Sequence, residues 1–129
     1  MPATRRGGLV LAIGEELRFL PASVALRVAP APRITSVPGG PAELAGIGVY
    51  EGAVLPVISV GAARDDMIVC QHGGELLGIV GGRIVKGGTF DVAAGQPDRV
   101  KFDGANVPLL DVAELVALVE RGARSGRWG

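Results

Sequence analysis

Apolar residues fall in short runs broken by glycine, proline or an acid, and only near the C-terminus do they take helical spacing. Residues 9–13 and 17–20 flank Gly14-Glu15 and predict a first hairpin. Residues 24–28 give a third strand, after which Pro30 and Pro32 stop any regular element and force extended backbone. Residues 34–37 lead into Pro38-Gly-Gly-Pro41, a turn cluster that can open a helical turn over 42–45. A second hairpin, 46–50 and 54–60, turns at Glu51-Gly52, and 61–66 forms the midpoint connection. Strands over 67–71, 76–80 and 83–85 follow, separated by Gly73-Gly74 and Gly81-Gly82, with loops at Gly87-Gly88 and 94–98. Residues 100–103 and 106–110 make the closing hairpin. One helix is predicted, over 112–121. Asp111-Val-Ala-Glu114 is a capping-box pattern, and Gly122 is a natural stop.

The chain writes part of this plan twice. Glu51-Gly-Ala-Val-Leu-Pro-Val-Ile-Ser-Val60 reappears as Asp103-Gly-Ala-Asn-Val-Pro-Leu-Leu-Asp-Val112, with the acid, the Gly and the Pro in the same places. Upstream, Leu9-Val-Leu-Ala-Ile-Gly-Glu-Glu-Leu17 lies over Ile68-Val-Cys-Gln-His-Gly-Gly-Glu-Leu76, putting Glu16 and Glu75 in register. The offset is 59 residues in the upstream pair and 52 in the downstream pair, so the lobes would differ by a few loop residues. Two look-alike hairpins in an unrepeated β protein are the alternative, but both segments recur in the same order. The expectation is a mainly β scaffold of two pseudo-symmetric lobes around one core. The repeat halves lie at about 9–60 and 68–112 of a single domain over 1–120, with a disordered tail over 121–129.

Composition narrows the function classes. With 21 glycines the pattern fits compact barrels with tight corners, and the strand–long-helix alternation of α/β folds is absent. Thirteen basic and 13 acidic residues leave zero net charge, which removes the electrostatic case for nucleic acid. The basic residues that do cluster, Arg121, Arg124 and Arg127, sit in the tail. One cysteine excludes an internal disulfide and is compatible with a reducing compartment. Arg5-Arg6 and the apolar stretch after it superficially resemble a signal sequence, but the stretch is short, ends in Glu15-Glu16 and lacks a cleavage site. No apolar run approaches the roughly 18 residues that span a bilayer. A cytoplasmic location without membrane insertion is expected.

Candidate chemistry is thin. Cys70 and His72 share a strand face in regular extended geometry and could begin a metal site or a thiol–imidazole pair. Zinc takes about four ligands, and no second Cys or His cluster supplies the rest. Glycine-rich phosphate loops are absent, and Glu15-Glu16 and Asp65-Asp66 read as solvated turn charges. No enzyme activity, cofactor or metal is expected. The alternative is a small-ligand-binding or enzymatic β-barrel using the Cys70/His72 region, with His72 in a pocket beside at least two further polar groups.

From Leu9 to about Val119 the order of elements resembles the CheW-like domain of bacterial chemotaxis coupling proteins. Family members read roughly Val-x-Glu-Val, then Ile-x-x-x-Pro, then Gly-Val-x-Asn-Leu-Arg-Gly-x-x-x-Pro-Val-Ile-Asp-Leu. Here the text is Ala25-Leu-Arg-Val28, Val37-Pro-Gly-Gly-Pro41 and Gly46-Ile-Gly-Val-Tyr-Glu-Gly-Ala-Val-Leu-Pro-Val-Ile-Ser-Val60. The family's closing Gly-x-x-x-x-Leu-Leu-Asp corresponds to Gly104-Ala-Asn-Val-Pro-Leu-Leu-Asp111. The resemblance implies two intertwined five-stranded SH3-like barrels sharing a core. It also implies a non-catalytic adaptor that links the cytoplasmic tip of a chemoreceptor (a methyl-accepting protein) to the regulatory domain of a CheA-type histidine kinase.

Two departures bear on that expectation. Glu51 stands where the family carries Arg, and Arg27 where it carries Glu, so an Arg27–Glu51 contact would preserve a salt bridge with exchanged polarity. Residues 61–66 are shorter than the family's usual midpoint, which points to a divergent coupling protein in a specialised pathway such as surface motility. The expected partner-binding residues are Arg27, Ile47, Val49, Tyr50, Glu51 and Val57 around the Glu51 turn. Core packing is the competing role for Ile47, Val49 and Val57. A regulatory module of a larger kinase is a further alternative.

Overall fold

The structure is a computed structural model that describes residues 4–124. Ten strands and one helix follow in order: β1 Arg5–Ile13, β2 Glu16–Pro21, β3 Ala25–Pro30, β4 Leu44–Tyr50, β5 Ala53–Ser59, β6 Ala63–His72, β7 Glu75–Gly81, β8 Arg83–Ala93, β9 Gln96–Phe102, β10 Ala105–Pro108 and α1 Val112–Arg124. They form two five-stranded sheets, ordered β10-β9-β8-β1-β2 and β3-β6-β7-β5-β4. Each sheet takes strands from both repeat halves, so neither half closes without the other.

The duplication holds residue by residue. In β1–β8, Val10 pairs with Lys86 and Leu11 with Ile84, stepping over Val85 at a bulge. In β6–β3, Val69 pairs with Arg27 and Cys70 with Ala25, stepping over Leu26. The 59-residue offset carries one bulge onto the other. Phe19 meets Leu109 in a parallel bridge, and Gly78 pairs in parallel with Val57, the same contact under both offsets. The Glu51-Gly52 and Asp103-Gly104 turns have φ of 48° and 81°, and 50° and 77°, the double positive φ of a type I′ hairpin. The extra residues of the first half lie in 31–43 between β3 and β4, where β8 reaches β9 through Ala94-Gly95.

That insertion changes how the second sheet closes. The first sheet curls shut, because β8 pairs with β9 and the Leu110 amide donates to the Phe19 carbonyl at 2.8 Å. In the second sheet β3 and β4 are the two unpaired ends. The Ala31 amide donates to Asp65 of β6 at 3.0 Å, so strand alternation aims positions 30 and 32 toward β4, and both are proline. The missing donors leave the seam open until Thr35 and Ile47 exchange two hydrogen bonds of 2.9 Å.

Alternation along the strands fills three cores. Val10, Phe19, Phe90, Val100 and Val107 fill the first sheet, and Leu55, Val57, Met67, Val69 and Val80 the second. The intervening positions, including Leu11, Leu20, Ile58, Ile68, Cys70 and Ile79, meet between the sheets. Helix α1 adds Val112, Leu115, Val116 and Val119 to this shared core. Equivalent positions trade volume: a Cβ on Gly8 would lie 2.6 Å from Cζ of Phe19, whereas their counterparts Met67 and Gly78 reverse the large and small partners.

Several boundaries differ from the sequence reading. Gly87-Gly88 is not a loop but the middle of β8, held by pairing with Gly8 and Leu9 of β1. The loop expected at 94–98 shrinks because β9 starts at Gln96, and the 61–66 connection because β6 starts at Ala63. Residues 34–37 supply only the Thr35 bridge, and Leu44 begins a strand instead of a helical turn. The helix runs past Gly122 to Arg124, since Gly122 is where α1 closes on Pro41. The tail expected over 121–129 is therefore helical to Arg124, and 125–129 lie outside the described residues. The Asp111 cap forms, accepting from the Glu114 amide at 3.0 Å, but the Glu114 carboxylate turns to Arg121 at 3.1 Å instead of reaching back.

Candidate interaction surface

The β4–β5 hairpin projects from the second sheet, and its side chains alternate between two environments. Val57 is 0% exposed inside that sheet. It is a core residue, which corrects its place among the expected partner contacts. Ile47, Val49 and Val54 point outward with 42%, 58% and 68% of their surface exposed. Ile47 and Val49 are thus free for contact. Val54 was missing from the expected set, although its pairing with Val49 follows directly from a two-residue turn at Glu51-Gly52.

Tyr50 sits half-buried against the second core, and Glu51 lies in the turn. Arg27, on the facing unpaired end β3, donates from Nη1 to the Tyr50 hydroxyl at 3.0 Å and to Glu51 Oε1 at 2.9 Å. The expected Arg27–Glu51 pair is present, and Tyr50 joins it. The Tyr50 hydroxyl first, and then the charge of Glu51, push the Arg27 pKa further up. Solvent reaches both charged side chains, so the contact shapes the surface more than it stabilises the fold.

Two apolar grooves flank this clasp. One, of about 400 Å³, runs past Gly8 and Leu9 of β1 and Leu26, Arg27 and Val28 of β3. The other, of about 380 Å³, lies between Pro32, Arg33 and Thr35 and the outward side chains Ile47, Val49 and Val54. Arg27 belongs to the first groove, while Val49 of the second directly precedes Tyr50, so the clasp joins the two.

Cys70 and His72 do not form a site. Cys70 is 0% exposed in the shared core, where burial pushes its thiol pKa up to about 12 and keeps it protonated. His72 is exposed and lines a separate cleft of about 410 Å³ with Asp98 and Asp111. That cleft meets the pocket requirement of the ligand-binding alternative, but it lacks the cysteine, and Asp111 is committed to the helix cap. Among the described residues no group of three or more His, Cys, Asp or Glu side chains is placed to hold a metal. No helix among them is long and apolar enough to cross a membrane.

Two interleaved five-stranded β-sheets, related by an internal repeat around a shared core, define the architectural class. No protein-family model matches the sequence, and no curated protein matches it. Among solved structures, the scaffolding protein TtCheW from Thermoanaerobacter tengcongensis is similar, with a TM-score of 0.68 over 82% of this chain and 88% of that one. The identity is 19%. The fold is CheW-like, carried by a divergent sequence.

Proposed function

We propose that this protein is a non-catalytic, cytoplasmic scaffold that couples a chemoreceptor's cytoplasmic tip to the regulatory domain of a CheA-type histidine kinase. One observation carries the reading. The repeat pairs Ile47, Val49 and Val54 with Arg99, Lys101 and Asn106 of β9–β10, at the same register positions of the same hairpin. The fold accepts charged and polar side chains there, so packing does not require the exposed apolar ones. An apolar face built on one of two equivalent hairpins is what a dedicated protein contact needs, with exposed apolar residues beside a half-buried tyrosine.

A coupling protein also needs a surface for each of two partners. The two grooves on either side of the Arg27–Tyr50–Glu51 clasp supply them. The exchanged polarity of that clasp relative to the family pattern supports a dedicated pathway, such as one controlling surface motility. The fold's likeness to a scaffolding protein supports the same reading.

The test is capture of receptor cytoplasmic tips and of a kinase regulatory domain by the purified protein. Capture of both, weakened by Tyr50→Ala without loss of the circular dichroism spectrum, is expected. Capture of neither partner would refute coupling, and unchanged affinity in Tyr50→Ala would exclude the clasp from the contact.

A further inference from the structure

Arg27 spends only one corner of its guanidinium on the clasp. Nη1 donates both to the Tyr50 hydroxyl and to Glu51 Oε1, and among the described residues Nε and Nη2 have no acceptor. Those two nitrogens form the side edge of the guanidinium plane, whose parallel N–H groups match the two oxygens of a carboxylate. With Nη1 held by two acceptors, that edge is presented with less side-chain freedom left to lose on binding. Glu51 offsets part of the positive charge, so recognition by this edge rests on paired hydrogen bonds, which a lysine cannot supply.

The repeat shows that the fold does not need the arrangement. The two offsets set Arg27, Tyr50 and Glu51 over Lys86, Phe102 and Asp103. There the base has no guanidinium plane and the ring no hydroxyl, and Lys86 and Asp103 form no ion pair. The first sheet closes without one, through the pairing of β8 with β9. The held guanidinium is a feature of the second lobe alone.

The surroundings of Arg27 define what else a ligand must carry. It is the one charged residue lining the first groove, of about 400 Å³. Its neighbours Leu26 and Val28 line the same groove and are 52% and 41% exposed. Across from them the wall includes Gly88, where a Cβ would meet nothing within 4 Å. An open apolar groove with a single held cation complements an apolar segment that bears a carboxylate.

We propose that this groove takes a partner protein through an Asp or Glu side chain seated on the Nε–Nη2 edge of Arg27, with apolar residues beside that acid covering Leu26 and Val28. As a contact with receptor or kinase this rests on the function proposed above; as a carboxylate site it does not.

Hexanoate, an apolar chain ending in a carboxylate, probes the site without a partner, with hexylammonium as its opposite. In nuclear magnetic resonance spectra, hexanoate should shift the Arg27 Nε–H signal and the Leu26 and Val28 methyls saturably, and leave Arg83, which lines neither groove, in place. Hexylammonium should shift none of them. Arg27→Lys keeps the charge and the exposed position but should weaken hexanoate by about tenfold. An Arg27 signal indifferent to hexanoate, or Arg27→Lys binding as tightly as the parent, would overturn the carboxylate site. Capture of receptor tips and of the kinase regulatory domain then tests the partner contact. A loss of about tenfold in Arg27→Lys for one of them supports it, and unchanged capture of both refutes it. Capture of neither by the parent refutes coupling, while the hexanoate result still decides the carboxylate site.

Discussion

The reversed volumes at Gly8/Phe19 and Met67/Gly78 make a quantitative demand on stability. In the second sheet, a Cβ on Gly78 would run into the Met67 thioether sulfur and lie 3.0 Å from Cγ of Met67 and 3.3 Å from Cδ1 of Leu55, and both side chains are essentially unexposed. Gly78→Ala should therefore cost about 1–3 kcal/mol by overpacking, less about 0.4–1 kcal/mol gained from a stiffer unfolded chain. Met67→Ala, which empties part of that core, should cost about 2–5 kcal/mol. In the double variant the new methyl enters the space the thioether left, so the combined loss should fall short of the sum by roughly 1–2 kcal/mol. Urea unfolding followed by far-ultraviolet circular dichroism measures all three variants against the parent. Additivity within about 0.5 kcal/mol would show that positions 67 and 78 do not compete for one volume, refuting the exchange.

Other expectations follow from burial and charge. The Cys70 thiol is held to about 12, above its ordinary value of 9.0, so the unfolded chain gives up this proton first. Its stabilising contribution is complete below about pH 9 and declines by about 1.4 kcal/mol per pH unit from there toward pH 12. Denaturation midpoints at pH 8 to 11 test this, and a Cys70→Ala variant with an equally steep alkaline loss would contradict it. Val57→Ala should destabilise by roughly 1.5–3 kcal/mol, whereas Val49→Ala should stay within about 0.5 kcal/mol of the parent. Equal losses in the two would mean that the hairpin does not alternate between core and solvent.

The repeat was legible because type I′ turns and flanking apolar residues keep their order when a strand unit is copied. Laying Leu9 on Ile68 and Glu51 on Asp103 gives the two offsets that the bulges and parallel bridges keep, but the sequence shows neither feature nor which strands become neighbours. Topology is what the local pattern could not supply. Gly87-Gly88 looks like a loop until β1 pairs across it, and Gly122 looks like a stop until Pro41 approaches it. The candidate site was half visible. Arg27 and Glu51 match through their exchanged charges, but the sequence leaves Val57 open between partner contact and core and passes over Val54, because apolar residues on both sides of β5 hide the alternation. Pro30 and Pro32 were legible as breaks; that they open the seam which Arg27 spans follows only from the direction of the Ala31 amide.

Coupling is tested most directly by reconstituting a receptor array and the kinase, with and without this protein, and following kinase autophosphorylation as receptor ligand is added. Ligand-responsive phosphorylation should appear only when the protein is present and should be diminished by Tyr50→Ala. Phosphorylation that is indifferent to the protein, although receptor and kinase respond to each other through another coupling protein, would contradict it.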